Sequence, residues 1–285
     1  MASLNQAAAP VAGPGSVLGL LELERVEQDL YRAAPSADEP YPLYGGQIAA
    51  QALKAAGLTV PEERAPHSLH GYFLRGGATA KPTIYRVDRD RDGRSYAARR
   101  VVAIQDGKPI FTLSASFVAP EPGADREVGG APVVPPADEL GEAILPRLLS
   151  IEAKLPPQAH EDAEWPTRFW ARCTVALPES PLVHACVLTY LSDISSGLFP
   201  LHGNDGVTGA SLDHALWFHR PVRLDEWVLT DLVPHTVAGG RGWYTGTVRR
   251  ADGTLAASLT QEALFRGPDT RPDWARGPYG REKKA

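Results

Sequence analysis

The second half of the chain repeats the order of elements of the first. Gly71-Tyr72-Phe73-Leu74-Arg75 precedes an Asp106-Gly107 turn, and Leu216-Trp217-Phe218-His219-Arg220 precedes Asp252-Gly253. Phe73 to Phe218 is an offset of 145 and Asp106 to Asp252 one of 146. Asp-Gly between strand-like runs is a strong hairpin signal, and the runs flanking the two turns match loosely as well. A repeat this long, with its elements in one order, makes the 285 residues two similar units rather than one large domain.

Each half carries one helix-period segment ahead of its strands. In the first, Gly45-Gly46-Gln47 opens the run Ile48 to Ala56, with Gly57 as the predicted C-cap. Small residues nearly all round imply a helix approached closely from several sides. In the second, Val183, Cys186, Val187, Tyr190 and Leu191 form one apolar stripe at helical spacing. A helix wrapped by a curved antiparallel sheet, twice over, is the expected architecture. Between Ala119 and Pro166 lie nine of the 26 prolines. That stretch reads as a connector carrying one helix over Leu140–Leu149 rather than sheet.

Composition removes several classes of function. Apolar residues are 43% of the chain and no apolar run approaches the ~18 residues of a membrane span. A net charge of −5 argues against nucleic acid as the main partner. Cys173 and Cys186 make neither a disulfide framework nor a four-Cys zinc site, and the first fifteen residues lack a signal-peptide pattern. A cytoplasmic protein without membrane partners is expected. No Gly-x-Ser-x-Gly elbow, Walker loop, His-Glu-x-x-His or Cys-x-x-Cys occurs. The pairs His67/His70 and His214/His219 are poorly spaced for metal and read as structural.

Three polar residues stand out. On the strand Ala257 to Phe265, alternation puts Gln261 on one face with Ala257, Leu259, Ala263 and Phe265, a lone amide among apolar neighbours. Such an amide needs dedicated partners, catalytic or merely structural. The repeat places Ala115 at the equivalent position of the first half. Asp193 projects to the edge of the buried face of the second helix, near its C-terminal end. The helix dipole there disfavours a carboxylate, so capping does not explain it. It is either a base with a raised pKa or a solvated loop residue. Ser211, at a strand entrance, reads by itself as bonding local backbone.

Tyr44-Gly45-Gly46-Gln47, His67-Ser-Leu-His70-Gly-Tyr-Phe-Leu-Arg75, Asp92-Gly93-Arg-Ser-Tyr-Ala-Ala-Arg99-Arg100-Val, Ile104 to Phe111 and Ser211-Leu-Asp-His to Pro221 resemble the acyl-CoA thioesterase II family, from about Leu20 to Arg266. The resemblance implies an α+β double hotdog fold. It divides the chain into an arm (1–15), an N-terminal hotdog unit (16–120), a Pro-rich linker (121–165), a C-terminal unit carrying the active site (166–267) and a tail (268–285). It further implies hydrolysis of fatty acyl-CoA to fatty acid and coenzyme A by water held on a catalytic trio of Asp193, Ser211 and Gln261. No cofactor or metal, and a homo-oligomer, are expected on the same ground. Family members often carry Thr where Ser211 stands; either hydroxyl supplies one donor and two acceptor sites. Arg99, Arg100 and Arg220 are candidates for the phosphates of coenzyme A or ordinary surface charge. Two alternatives stay open: a double-hotdog enoyl-CoA hydratase, whose signature Asp193 to Asp205 matches poorly, and a silent acyl-CoA binder.

Overall fold

In the computed structural model, which describes residues 15–36, 42–143, 145 and 148–267, the two helical periodicities and the strands after them form two units of like build. Apart from Gly15, the arm (1–15) and the tail (268–285) lie outside the described residues. The first unit runs α1 (Val17–Leu20), β1 (Glu24–Glu27), β2 (Leu30–Ala33), α2 (Gly45–Gly57), β3 (Ala65–Phe73), β4 (Thr83–Asp92), β5 (Tyr96–Gln105) and β6 (Lys108–Val118). After it come β7 (Glu142–Ala143), β8 (Ile151–Lys154), β9 (Arg168–Cys173), α3 (Pro181–Ser192), β10 (Val207–Phe218), β11 (Val228–Ala238), β12 (Arg241–Arg250) and β13 (Leu255–Arg266). Single 3₁₀ segments lie at Ala137–Glu139 and Ser196–Leu201.

Among the described residues the strands form one antiparallel sheet, ordered β1-β2-β4-β5-β6-β3-β10-β13-β12-β11-β9-β8-β7. The halves join at its centre, where β3 pairs with β10 and Gly71 stands opposite His214. Outward from this seam the order is β3-β6-β5-β4-β2 on one side and β10-β13-β12-β11-β9 on the other, so the repeat in sequence is a repeat in space. The fold is the expected double hotdog.

The composition of α2 is explained by what it touches. It is buried from Gly46 to Leu53 and again from Ala55 to Gly57, against β3–β6 on one side and α3 on the other. A Cβ on Gly46 would overlap the Tyr190 carbonyl, and one on Gly57 would overlap the Leu182 side chain. The start of α2 therefore meets the end of α3, and its end meets the start of α3. The helices run antiparallel at close range. Gly57 is thus the last helical residue, kept small by Leu182, and the C-cap is Leu58 at φ −66°. The average hydropathy of Pro181–Leu201 would suit a membrane span, but most of it is buried in this core and Asp193 lies between α3 and a 3₁₀ segment within it.

The connector departs from expectation. Instead of a helix over Leu140–Leu149, its described residues include β7, and β7 and β8 extend the sheet beyond β9. Apolar spacing over so few residues fits an edge strand as well as a helix, and β9 offered an unpaired edge. Upstream, the Pro135 carbonyl accepts from the Trp170 indole at 3.0 Å.

The repeat is not symmetric in its polar residues. Where α3 is capped by Asp193, α2 is capped by Leu58. Where β13 pairs Gln261 with Tyr244 of β12, β6 pairs Ala115 with Arg99 of β5. Arg99 is only 1% exposed, and its guanidinium donates to Thr59 Oγ1 and O, Asp92 Oδ1 and the carbonyls of Arg91 and Ala98. All of the five N–H donors an arginine has are engaged. Ala115→Gln is therefore expected to bury an amide with no donor left to meet its carbonyl. It should lower stability by about 1–3 kcal/mol, measured as a fall in Tm; an unchanged Tm would show that this half tolerates the amide.

Candidate active site

The antiparallel helix pair carries Asp193, at the end of α3, to the first turn of α2. Tyr44, the N-cap residue of α2, makes no side-chain capping bond; its phenol donates instead to the Tyr190 carbonyl at 2.9 Å. The Gly46 backbone N–H donates to the Asp193 carboxylate, and a Cβ on Gly45 would overlap Asp193 Oδ2. A carboxylate from the second unit thus caps a helix of the first, where the helix dipole favours it.

Two strands complete the constellation. Gln261, fully buried on β13, donates from Nε2 to Asp193 Oδ1 at 2.7 Å and to Ser211 Oγ at 2.6 Å. Ser211 Oγ lies 3.3 Å from Asp193 Oδ1. On β10 the pairing with β13 is irregular on both sides of Ser211, and such a break re-aims a side chain that strict alternation would send elsewhere. The structure brings all three predicted residues together.

It also adds residues that the sequence reading passed over. Ser195, in a left-handed conformation at φ 58°, sets its Oγ 3.2 Å from both Gln261 Nε2 and Ser211 Oγ. No local pattern announces it, because its placement depends on the turn after α3. Tyr244 donates its phenol to Gln261 Oε1 at 2.6 Å. The register of the repeat could have singled it out, since it replaces Arg99. Gly45 and Gly46 were visible as a motif but not as neighbours of Asp193.

Desolvation dominates the electrostatics. Burial pushes the Asp193 carboxyl from 3.8 up to about 7, against hydrogen bonds from Gln261, Ser211, Gly46 and Ser195 that pull it down. His214 is fully buried, and burial takes it down to about 4. Its Nε2 meets Ser192 Oγ at 2.8 Å, and Ser192 itself donates to the Thr189 carbonyl. His214 is therefore a neutral donor to a helix end, a structural role, as read from the sequence.

The arginines fit coenzyme A less well than expected. Arg99 is buried and fully engaged, as described above. Arg220 is held by Asp125 at 2.5 Å, and Arg100 lies 3.3 Å from Asp90. His202, the residue that invited comparison with a hydratase, lies 2.7 Å from Thr208 Oγ1 and accepts from the Thr208 N–H. It locks its own turn.

The raised pKa has a thermodynamic consequence with a definite sign. Asp193 holds its proton more tightly folded than unfolded, so its stabilising contribution is full below about 4 and is lost as pH rises through about 7. At about 1.4 kcal/mol per pH unit, this is on the order of 4 kcal/mol across the window. The Tm of Asp193→Asn relative to the parent is expected to rise between those limits. A flat difference would refute the buried titration.

Comparison with known proteins gives one answer for the whole described chain. Residues 37–118 match the family described as acyl-CoA thioesterase N-terminal domain, and residues 120–265 its C-terminal domain. Acyl-coenzyme A thioesterase 8 of Rattus norvegicus is 35% identical over 286 aligned residues, covering 88% of each chain. The crystal structure of acyl-CoA thioesterase II TesB2 from Mycobacterium marinum is similar with a TM-score of 0.75 and 35% identity, over 87% of this chain and 97% of that one. A protein of hot dog fold from Alicyclobacillus acidocaldarius, 19% identical, agrees in fold with a TM-score of 0.72 over 87% of this chain and 97% of its own. With two matching domains and relatives aligned over most of their length, the chain belongs to the acyl-CoA thioesterase II family and is a thioester hydrolase.

Proposed function

We propose that the chain hydrolyses fatty acyl-CoA by direct attack of water activated at Asp193, Ser211 and Gln261. The carrying observation is the 2.7 Å bond from Gln261 Nε2 to a buried carboxylate whose pKa lies near neutrality. A base poised there is ionised in a substantial fraction near neutral pH yet still basic enough to take a proton in the transition state. Gln261 ties Asp193 Oδ1 and Ser211 Oγ into one acceptor edge. Water seated on that edge gives one proton to Asp193 and points the other at Ser211, leaving a lone pair free for the thioester carbon. The oxyanion of the tetrahedral intermediate calls for donors beyond the Gly46 N–H, which Asp193 already holds. Collapse of the intermediate breaks the C–S bond, and the proton held by Asp193 passes to the departing coenzyme A thiolate. No covalent acyl-serine is invoked, since His214 Nε2 is committed to Ser192 rather than to Ser211.

A cleft of about 850 Å³ lies beside the first turn of α2, with Leu20, Leu23, Pro82 and Leu149 in its wall, and offers apolar surface for the acyl chain. Cys173 and Cys186 are buried free thiols, which suits the reducing cytoplasm expected from the sequence. Exposed Tyr72 on β3, Trp217 on β10 and Trp243 on β12 suit a homo-oligomer.

Release of free thiol from a panel of acyl-CoA esters tests the activity. In that assay Asp193→Asn is expected to lower turnover by about 10²-fold or more while remaining folded. Gln261→Ala, the residue already present at Ala115, should fold, lose most turnover and still bind acyl-CoA. A folded, fully active form of either variant would overturn the site assignment.

A further inference from the structure

Tyr244 belongs to no part of the trio, yet the fold makes room for it. It sits directly across the β12–β13 ladder from Gln261, fully buried, with its phenol 2.6 Å from Gln261 Oε1. Its ring lies against Gly197 in the 3₁₀ segment that follows Asp193, and any Cβ at Gly197 would overlap that ring. At the same register position the first half has Arg99, which serves Thr59 and Asp92 instead. The half with a carboxylate at its helix end is the half with a phenol at this position.

The consequence lies in the orientation of one amide. A glutamine amide presents an acceptor on one side and two donors on the other, and the rotation that exchanges them is easy. Here an ionised carboxylate can only accept, so the site works only with Nε2 toward Asp193. We propose that Tyr244 is a positioning residue for hydrolysis: by donating to Gln261 Oε1 it holds the amide with both N–H groups on Asp193 and Ser211. Without the phenol, buried Oε1 loses its 2.6 Å donor. It then gains by turning toward the hydroxyls of Ser195 or Ser211, which withdraws Nε2 from Asp193. Of the other titratable side chains nearby, neutral His214 on β10 serves Ser192 and also reaches the Gln261 side chain, and Tyr44 before α2 serves the Tyr190 carbonyl.

Tyr244→Phe keeps every ring contact and removes only the hydroxyl. It is expected to lower kcat for acyl-CoA about tenfold, with KM within about threefold of the parent. It should also raise the acidic limb of the kcat/KM profile, because Asp193 loses a hydrogen bond that favours its ionised form. A residue that only packs would leave that limb in place. In a Gln261→Ala background, Tyr244→Phe should add no further loss, since it acts through the amide. Gly197→Ala, which displaces the ring, is a second variant expected to give the same signature. The inference rests on the catalytic reading of Gln261, and the outcomes separate the two. Full activity in folded Gln261→Ala would sink that reading. An inactive Gln261→Ala beside a Tyr244→Phe of parental kcat and pH profile, or losses that multiply in the double variant, would overturn the role of Tyr244 alone.

Discussion

A carboxylate removed from water has to be compensated, and the way Asp193 is compensated accounts for how the two halves of this protein are joined. Four groups converge on it, from α2, β10, β13 and the turn after α3. They come from both units. The Gly46 N–H can reach it only because α2 and α3 pack antiparallel at close range, which in turn requires glycine at 46 and 57. Even so, hydrogen bonding only partly offsets desolvation, and the carboxyl comes to rest near neutrality. The desolvation that costs the folded state some stability is what raises the affinity of this group for a proton.

The repeat shows how a second site is foregone without a second fold. Strand order, helix position and register are kept, and a few exchanges change the chemistry. Leu58, Ala115 and Arg99 stand where the other half has Asp193, Gln261 and Tyr244. The buried guanidinium of Arg99 is not idle. It satisfies backbone carbonyls and a hydroxyl near the end of α2, so one half uses its buried polar position for cohesion and the other to surround a carboxylate.

How much of this was readable in advance differs from residue to residue. Gln261 could be found because strand alternation is strict, and a polar residue on an apolar face is conspicuous however the strand is placed. Asp193 could be flagged by helical projection, but the reason it is stable there could not. That reason is the N-terminus of α2, where Gly46 lies 147 residues earlier in the chain, and no local pattern refers to it. Ser211 owes its direction to a break in ladder register, a property of two strands rather than one. In the connector, Leu140–Leu149 was misread because a short apolar spacing does not distinguish a helix from an edge strand.

The sequence by itself determined the number of units and their order of elements, a helix followed by antiparallel strands, and, with the family resemblance, the double hotdog fold and which three side chains to watch. These follow from periodicity and repetition, which are local in the chain. Only the tertiary structure decided that the site lies at the junction of the units, that Arg99 is buried rather than available to a phosphate, and that Ser195 and Tyr244 belong to the network. Such facts depend on which distant segments come into contact, and on how far each buried charge is screened or paired there. Contact and desolvation are properties of the folded whole, not of any stretch of residues.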